Sequence, residues 1–252
     1  NHFKNIKVSL KDISDLTEKV DAVRHYTDPA EIEKQLDDEL AKKEITLQEY
    51  KEGIKQAARM VKEAKAEYQG KRLRISYVAN HYYIPMILSG ETDRIDYIKH
   101  IIQEESEVKF INRLEEYLGR ANNKFQDFDW WMFSKLDESL DDVYLPYYDG
   151  SANKVREFKP DFMFWLQKDD DYFIVFIDPK GTEHTDYQRK IDGYSLLFED
   201  RGGGKKTIAH NGQMVKVFTF LYTDDVDGLS KDYKRYWSDD IGKALTSVIS
   251  EK

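Results

Sequence analysis

Residues 160–181 read PDFMFWLQ-KDDD-YFIVFIDPKG, and this stretch decides the fold. Two strongly apolar runs flank the polar segment Lys168–Asp171, which is typical of two antiparallel strands joined by a four-residue loop. Pairing of Gln167 with Tyr172 sets the register of the hairpin, and every other pair along it then follows.

This register places Asp161 directly opposite Asp178, and Lys180 has the same parity as Asp178. Two carboxylates facing each other across a ladder are destabilising, unless a divalent cation lies between them. Carboxylate oxygens are hard ligands that suit Mg²⁺, Mn²⁺ or Ca²⁺. Two other interpretations stay open: both aspartates are exposed at a frayed hairpin end, or a one-residue slip separates them. Lys180 alone could equally form an ordinary ion pair with its acidic neighbours.

A third carboxylate comes from a helix predicted over Ser106–Leu118, capped by Ser106 and ended by Gly119. At helical spacing Glu107 lies at the centre of the apolar face. An acid on a buried face is costly unless it is paired or binds a metal. The alternative is that Glu107 only favours the helix start and bends out to water. The apolar face consists of Phe110, Ile111, Leu114 and Leu118.

Residues up to about 70 are predicted to be a helical connector. Asp28 and Pro29 have the composition of a helix start. Thr46 and Glu49 match a capping box, and the helix that follows is expected to reach Tyr68 and stop at Gly70. This segment shows no site of its own.

Beyond residue 70, aromatic and β-branched residues become denser, which predicts one α/β domain over 71–252. The stretch 93–102 is compatible with helix or strand. The predicted strands are 74–78, 83–89, 162–166, 172–177 and 215–222, and the further predicted helices are 185–198 and 238–250.

The 252-residue chain carries a formal net charge of -9, no cysteine and abundant aromatics, namely 17 Tyr, 13 Phe and 4 Trp. The aromatic content excludes a disordered chain, and the lack of cysteine excludes disulfides and thiolate zinc sites. No apolar run approaches a membrane span and no signal-like start is present. Three basic clusters could contact DNA phosphates: Lys71–Arg74, Lys205–Lys206 and Lys231–Arg235.

Pro160-Asp161 and Asp178-Pro179-Lys180, together with the helix acid Glu107, resemble the PD-(D/E)XK signature of restriction-endonuclease-like nucleases. The flanking text is similar to the C-terminal nuclease region of type III restriction enzyme Res subunits over roughly residues 71–252. The runs that carry this similarity are 106–110, 131–135, 158–162 and 177–181.

The resemblance implies a restriction-endonuclease-like α/β core, with a mixed central sheet flanked by helices, that cleaves DNA with Mg²⁺ or Mn²⁺. It implies Glu107, Asp161 and Asp178 as metal ligands, with the carbonyl of Pro179, and Lys180 as the residue that orients water and stabilises phosphate. One departure is Pro179, because proline cannot donate to a ladder, so the strand is expected to end or bulge there and the placing of Lys180 stays open.

The same resemblance implies accessory roles for Gln188 and Lys190, which could otherwise be solvated helix residues. It implies double-stranded DNA as substrate and a cytoplasmic location. It also implies a modification methyltransferase subunit as partner and an ATP-driven helicase upstream of Asn1, because this chain has no phosphate-binding loop. The competing hypothesis is a catalytically inactive nuclease-like module that binds DNA or a partner subunit.

Overall fold

The computed structural model describes residues 18–19, 22–23, 29–60, 63–68, 71–76, 86–89, 101–102, 104–136, 141–179, 186–224 and 230–251. The chain divides into two compact units, 1–103 and 104–252. Each unit is described by itself.

The first unit begins with helices α1 (Pro29–Ala41) and α2 (Leu47–Ala57). The capping box is confirmed: the Thr46 backbone N–H donates to the Glu49 carboxylate at 2.7 Å, and the Thr46 hydroxyl accepts from the Glu49 N–H at 3.2 Å. Asp28 lies outside the described residues.

The prediction that α2 continues to Tyr68 is wrong, because the helix ends at Ala57 and a strand follows. Strand β1 (Glu63–Tyr68) pairs antiparallel with β2 (Lys71–Ser76). Charged residues at positions 63, 65 and 67 alternate with alanine or tyrosine, a pattern that is also compatible with a strand. Because β2 supplies a pairing partner, this segment forms a strand and not a helix. The domain boundary expected between residues 70 and 71 therefore falls inside a hairpin.

Strands β3 (Met86–Ser89) and β4 (Ile101–Ile102) complete a four-stranded sheet in the order β1-β2-β3-β4. The first three strands are antiparallel, and β4 runs parallel to β3. Strands predicted over 74–78 and 83–89 are confirmed where they overlap β2 and β3. Residues 77–85, 93–100 and Gly70 lie outside the described part of the chain.

The second unit holds a helix, a set of strands, and then alternating helices and strands. Its elements are α3 (Glu105–Leu118), β5 (Trp130–Lys135), β6 (Leu145–Asp149), β7 (Lys154–Phe158), β8 (Phe162–Lys168), β9 (Asp171–Pro179), α4 (Tyr187–Phe198), β10 (Ile208–His210), β11 (Gln213–Tyr222), β12 (Trp237–Ser238) and α5 (Ile241–Ser250). The predicted strands and helices of this region are confirmed in kind.

The central sheet has the order β10-β11-β9-β8-β5, with β12 added beside β11, and β6 and β7 form a separate hairpin. Strands β5, β8 and β9 are antiparallel neighbours, whereas β11 runs parallel to β9 after the crossover through α4. The expected α/β architecture with a mixed central sheet flanked by helices is confirmed at this level.

The β8–β9 hairpin has the predicted register, since Gln167 pairs with Tyr172. Its loop is shorter than predicted, because Lys168 pairs with Asp171 and only two residues remain in the turn. Asp169 takes a left-handed conformation, with φ of 53°, and its backbone N–H donates to the carboxylate of Asp129 at 2.6 Å. A contact with another segment therefore tightens the turn.

Different helices pack against the two faces of the central sheet. On one face the Phe110 ring of α3 packs against Phe162, with ring centroids 4.9 Å apart. On the other face Met163 and Phe176 join a core cluster that includes Tyr194 of α4. The sheet is thus buried between helices on both sides.

Two predicted helix starts need correction. Helix α3 begins at Glu105, so Ser106 lies inside it and the N-cap is Glu104, while Gly119 is the C-cap as expected. Helix α5 begins at Ile241 because Asp240 caps it, accepting from the Lys243 backbone N–H. Within the described ranges, no helix is both long and apolar enough to span a bilayer.

Candidate metal and active site

The open end of the β8–β9 hairpin carries the two motif aspartates. Asp161 directly precedes β8, and Asp178 is the penultimate residue of β9. Phe162 and Ile177 are the last pair of the ladder, so the two aspartates occupy the next positions. Asp178 is completely buried, and the Asp161 side chain is 13% exposed. These values exclude an exposed, frayed end, and the register excludes a slip.

Glu107 points toward the protein interior. It lies in the first turn of α3 and is only 7% exposed, on the face that also buries Phe110, Ile111 and Leu114. The interpretation in which Glu107 bends out to water does not hold. Burial of this carboxylate requires a partner.

That partner is Lys135, the last residue of β5, which the motif pattern did not include. Its ammonium Nζ lies 2.8 Å from Glu107 Oε1 and 3.1 Å from Asp161 Oδ1, and its side chain is 10% exposed. Because β5 pairs with β8, Lys135 is the register partner of Phe162, the residue that follows Asp161. One signal in the sequence could have indicated it: a lysine ends a strand whose first four residues are apolar.

Charge and burial act together on this cluster. Burial and, to a lesser extent, the charge of Asp161 raise the pKa of Glu107, and Lys135 lowers it; the net result is a pKa of about 7. For Lys135 burial favours the neutral amine, but Asp161 and Glu107 outweigh it and hold the pKa above its ordinary value. The lysine therefore stays an ammonium ion while Glu107 binds a proton unusually well.

Two other buried acids of the described chain, Glu199 and Asp149, behave differently. Burial disfavours ionisation of Glu199, but hydrogen bonds from Lys205 and Tyr236 hold its pKa below the ordinary value. Asp149 is buried too, yet two backbone N–H groups and two arginines lower its pKa. For both acids, hydrogen bonds and nearby cations outweigh the cost of burying the carboxylate. For Glu107, the ammonium of Lys135 does not fully offset that cost. Incomplete compensation of a buried acid is a typical sign of a functional site.

The predicted set of three metal ligands is brought together only in part. Glu107 and Asp161 meet at Lys135, but no group of three or more His, Cys, Asp or Glu side chains within the described residues could hold a metal ion.

The Glu107–Asp161 pair nevertheless suits Mg²⁺ chemically. Mg²⁺ is commonly held by one or two carboxylates, with water and substrate phosphates as further ligands, rather than by a closed protein cage. Both carboxylates are largely buried, come from separate elements, and already hold one cationic group between them.

The remaining predicted site residues lie as follows. Pro179 is buried, pairs with Tyr222 of β11, and is the last described residue of this segment, so the expected strand end stays a prediction. Lys180 lies outside the described residues. In α4 the Gln188 side chain is exposed, and the Lys190 ammonium lies 4.8 Å from the ring centroid of Phe158. Accessory roles for Gln188 and Lys190 stay predictions.

Three cations from two of the basic clusters expected near DNA make contacts within the protein. The ammonium of Lys205 and the guanidinium of Arg235 both bind the fully buried carboxylate of Glu199. The ammonium of Lys206 donates to two backbone carbonyls of α4, at 2.9 and 3.1 Å. These contacts stabilise the fold, while the side chain of Arg235 stays 51% exposed.

Comparison with known proteins adds a family to this geometry. The sequence profile of the YagJ family matches residues 98–227, just over half of the chain. The matched segment runs from before α3 to beyond β11, so it includes Glu107, Lys135, Asp161 and Asp178. No curated protein and no solved structure matches the chain. The match over this core places the chain in the YagJ family.

Proposed function

We propose that this chain carries a Mg²⁺-dependent endonuclease domain with a restriction-endonuclease-like fold, which hydrolyses phosphodiester bonds of DNA. The observation that carries the proposal is the convergence of Glu107 and Asp161, from a helix and from a hairpin, on one buried cationic group. The order of elements around this group also supports the proposal: a helix with an acid is followed by three antiparallel strands of the central sheet, a helix and a parallel strand.

In this proposal Glu107 and Asp161 hold the divalent cation. Bound there, the cation would lower the pKa of a water molecule and offset the charge that develops on the phosphate. Asp178 and the carbonyl of Pro179 are the further ligands that the motif suggests, and Lys180 is the cation proposed to orient water and contact phosphate. Mn²⁺ is the expected substitute for Mg²⁺.

The proposed context is a type III-like restriction enzyme in the cytoplasm. Double-stranded DNA is the substrate, an ATP-driven helicase region of the same polypeptide moves along it, and a modification methyltransferase is a partner subunit. These statements rest on the motif resemblance and on the acidic pair that the motif predicts.

A second candidate function is a catalytically inactive, nuclease-like module that binds DNA or a partner subunit. One observation favours it: an ammonium group, that of Lys135, lies between Glu107 and Asp161. An ion pair of this kind could simply be structural.

Nicking of supercoiled plasmid, measured with Mg²⁺ and then with chelator, distinguishes these two functions. Wild-type protein should nick the plasmid only with Mg²⁺. Asp161→Asn and Glu107→Gln should reduce the rate by at least about 100-fold, since loss of residues that merely support ligands costs about 10- to 100-fold. The matched control is Glu105→Gln, an exposed acid on the same helix, which should cleave like wild type.

Calorimetric titration with Mn²⁺ tests the metal site without relying on turnover. Wild type and Glu105→Gln should bind Mn²⁺, and Asp161→Asn should bind it at least about tenfold more weakly. Absence of Mn²⁺ binding to wild type, or equal binding to Asp161→Asn, would contradict the endonuclease proposal. DNA binding without Mn²⁺ binding would support the inactive module.

A further inference from the structure

We propose that Lys135 is a built-in counter-ion that holds the acidic pair together before a metal arrives and must leave when a divalent cation binds. This inference rests on the proposed function, because it concerns the same two carboxylates. It adds a regulatory contact that the PD-(D/E)XK pattern does not contain.

The backbone delivers the ammonium to the pair. Lys135 is fixed by the β5–β8 ladder, and the backbone N–H of the next residue, Leu136, donates to the Asp161 carbonyl at 2.7 Å. The side chain then reaches Glu107 on α3 as well as Asp161. Helix α3 and the hairpin end are therefore connected through one nitrogen atom.

The charges at this position do not balance. Two carboxylates carry two negative charges when both are ionised, and one ammonium offsets only one of them. A divalent cation would offset both, which gives it an advantage over the ammonium at the same oxygens.

The ammonium and a metal ion exclude each other. A hard divalent cation binds carboxylate oxygens at about 2.0 to 2.6 Å. The Nζ of Lys135 already lies 2.8 Å from Glu107 Oε1 and 3.1 Å from Asp161 Oδ1. A metal ion bound to the same two oxygens would therefore lie within a few ångströms of this Nζ. Repulsion between two buried cations at such a distance is strong. The flexible four-carbon stem of lysine allows the ammonium to move away.

Lys135→Met tests this exchange, because methionine keeps a long apolar stem and removes the charge. In chelator the variant should have a lower melting temperature than wild type, since two buried carboxylates lose their counter-ion. In calorimetric titration it should bind Mn²⁺ at least about tenfold more tightly, because no ammonium competes. Lys135→Arg keeps the charge and should bind Mn²⁺ no more tightly than wild type.

Amine labelling of the wild-type protein provides a second measurement that needs no variant to fold. Peptide mass spectrometry should show Lys135 poorly labelled in chelator and at least about threefold better labelled in saturating Mn²⁺. A lysine released from two carboxylates is more accessible to the reagent and loses its proton more readily to give the reactive amine. Exposed Lys154 is the internal control and should label equally in both conditions.

The outcomes separate this inference from the proposed function. If wild type binds Mn²⁺ but Lys135→Met binds it equally or more weakly, the exchange is overturned and the metal site stands. Unchanged labelling of Lys135 in saturating Mn²⁺ overturns it in the same way. If neither wild type nor Lys135→Met binds Mn²⁺, the endonuclease proposal falls and this inference falls with it.

Discussion

Glu107 shows how a single carboxyl group couples burial, charge and pH. Its pKa lies near 7 in the fold, compared with an ordinary value of 4.5, because burial and the neighbouring Asp161 disfavour ionisation. The folded protein therefore holds this proton more tightly than the unfolded chain. The stabilising effect of the group is full below pH 4.5 and is lost as the pH rises through about 7.

Glu107→Gln should remove this pH dependence, because glutamine keeps the shape and does not titrate. In chelator, the free energy of unfolding of wild type should fall relative to the variant between about pH 5 and about pH 8. Urea unfolding across this range measures the difference. Glu105→Gln, on the same helix but exposed, should follow the wild-type curve. If the free energies of unfolding of wild type and Glu107→Gln differ by the same amount at every pH, the pKa of the Glu107 carboxyl is not raised.

At the scale of elements, the contact between helix α4 and strand β6 is unusually close. A Cβ added at Gly193 would lie 2.5 Å from the Pro146 carbonyl oxygen and 2.7 Å from the Tyr147 Cβ. Both are atoms of the β6 strand that cannot move independently of its backbone. The glycine is therefore required for packing, in a helix where alanine would otherwise be preferred.

Gly193→Ala should destabilise the protein by about 1 to 3 kcal/mol, as overpacking of a close contact does. The gain in helix propensity, about 1 kcal/mol, should not compensate. The control is Gly119→Ala, where the nearest atom to the added Cβ is an ordinary 3.5 Å away, and it should change stability by less than about 0.5 kcal/mol. Urea unfolding measures both, and a Gly193→Ala protein as stable as wild type would contradict the close-packing account.

At the scale of the whole molecule, the second unit contains a complete sheet with both faces covered and all the acids of the candidate site. A fragment spanning residues 104–252 should therefore fold by itself. Circular dichroism should show one cooperative thermal transition, and the fragment should bind Mn²⁺ within about threefold of the full chain. A fragment without a cooperative transition would show that residues before 104 are needed for its stability.

The order and type of elements in this unit could be predicted because local patterns decide them. Apolar runs around a polar turn determine the hairpin and its register, and the spacing of Phe110, Ile111 and Leu114 determines which face of α3 is buried. Glu107 could be placed in the interior for the same reason. These features depend on residues close together in the chain.

Contacts between distant segments had to come from the tertiary structure. The β1–β2 pairing turns a stretch with helical composition into a strand, and the bond from Asp169 to Asp129 shortens the hairpin turn. The position of Lys135 between the two carboxylates depends on the pairing of β5 with β8 and on the packing of α3. A sequence motif specifies which charges are present, whereas only the packed sheet and helix determine which cation lies closest to them.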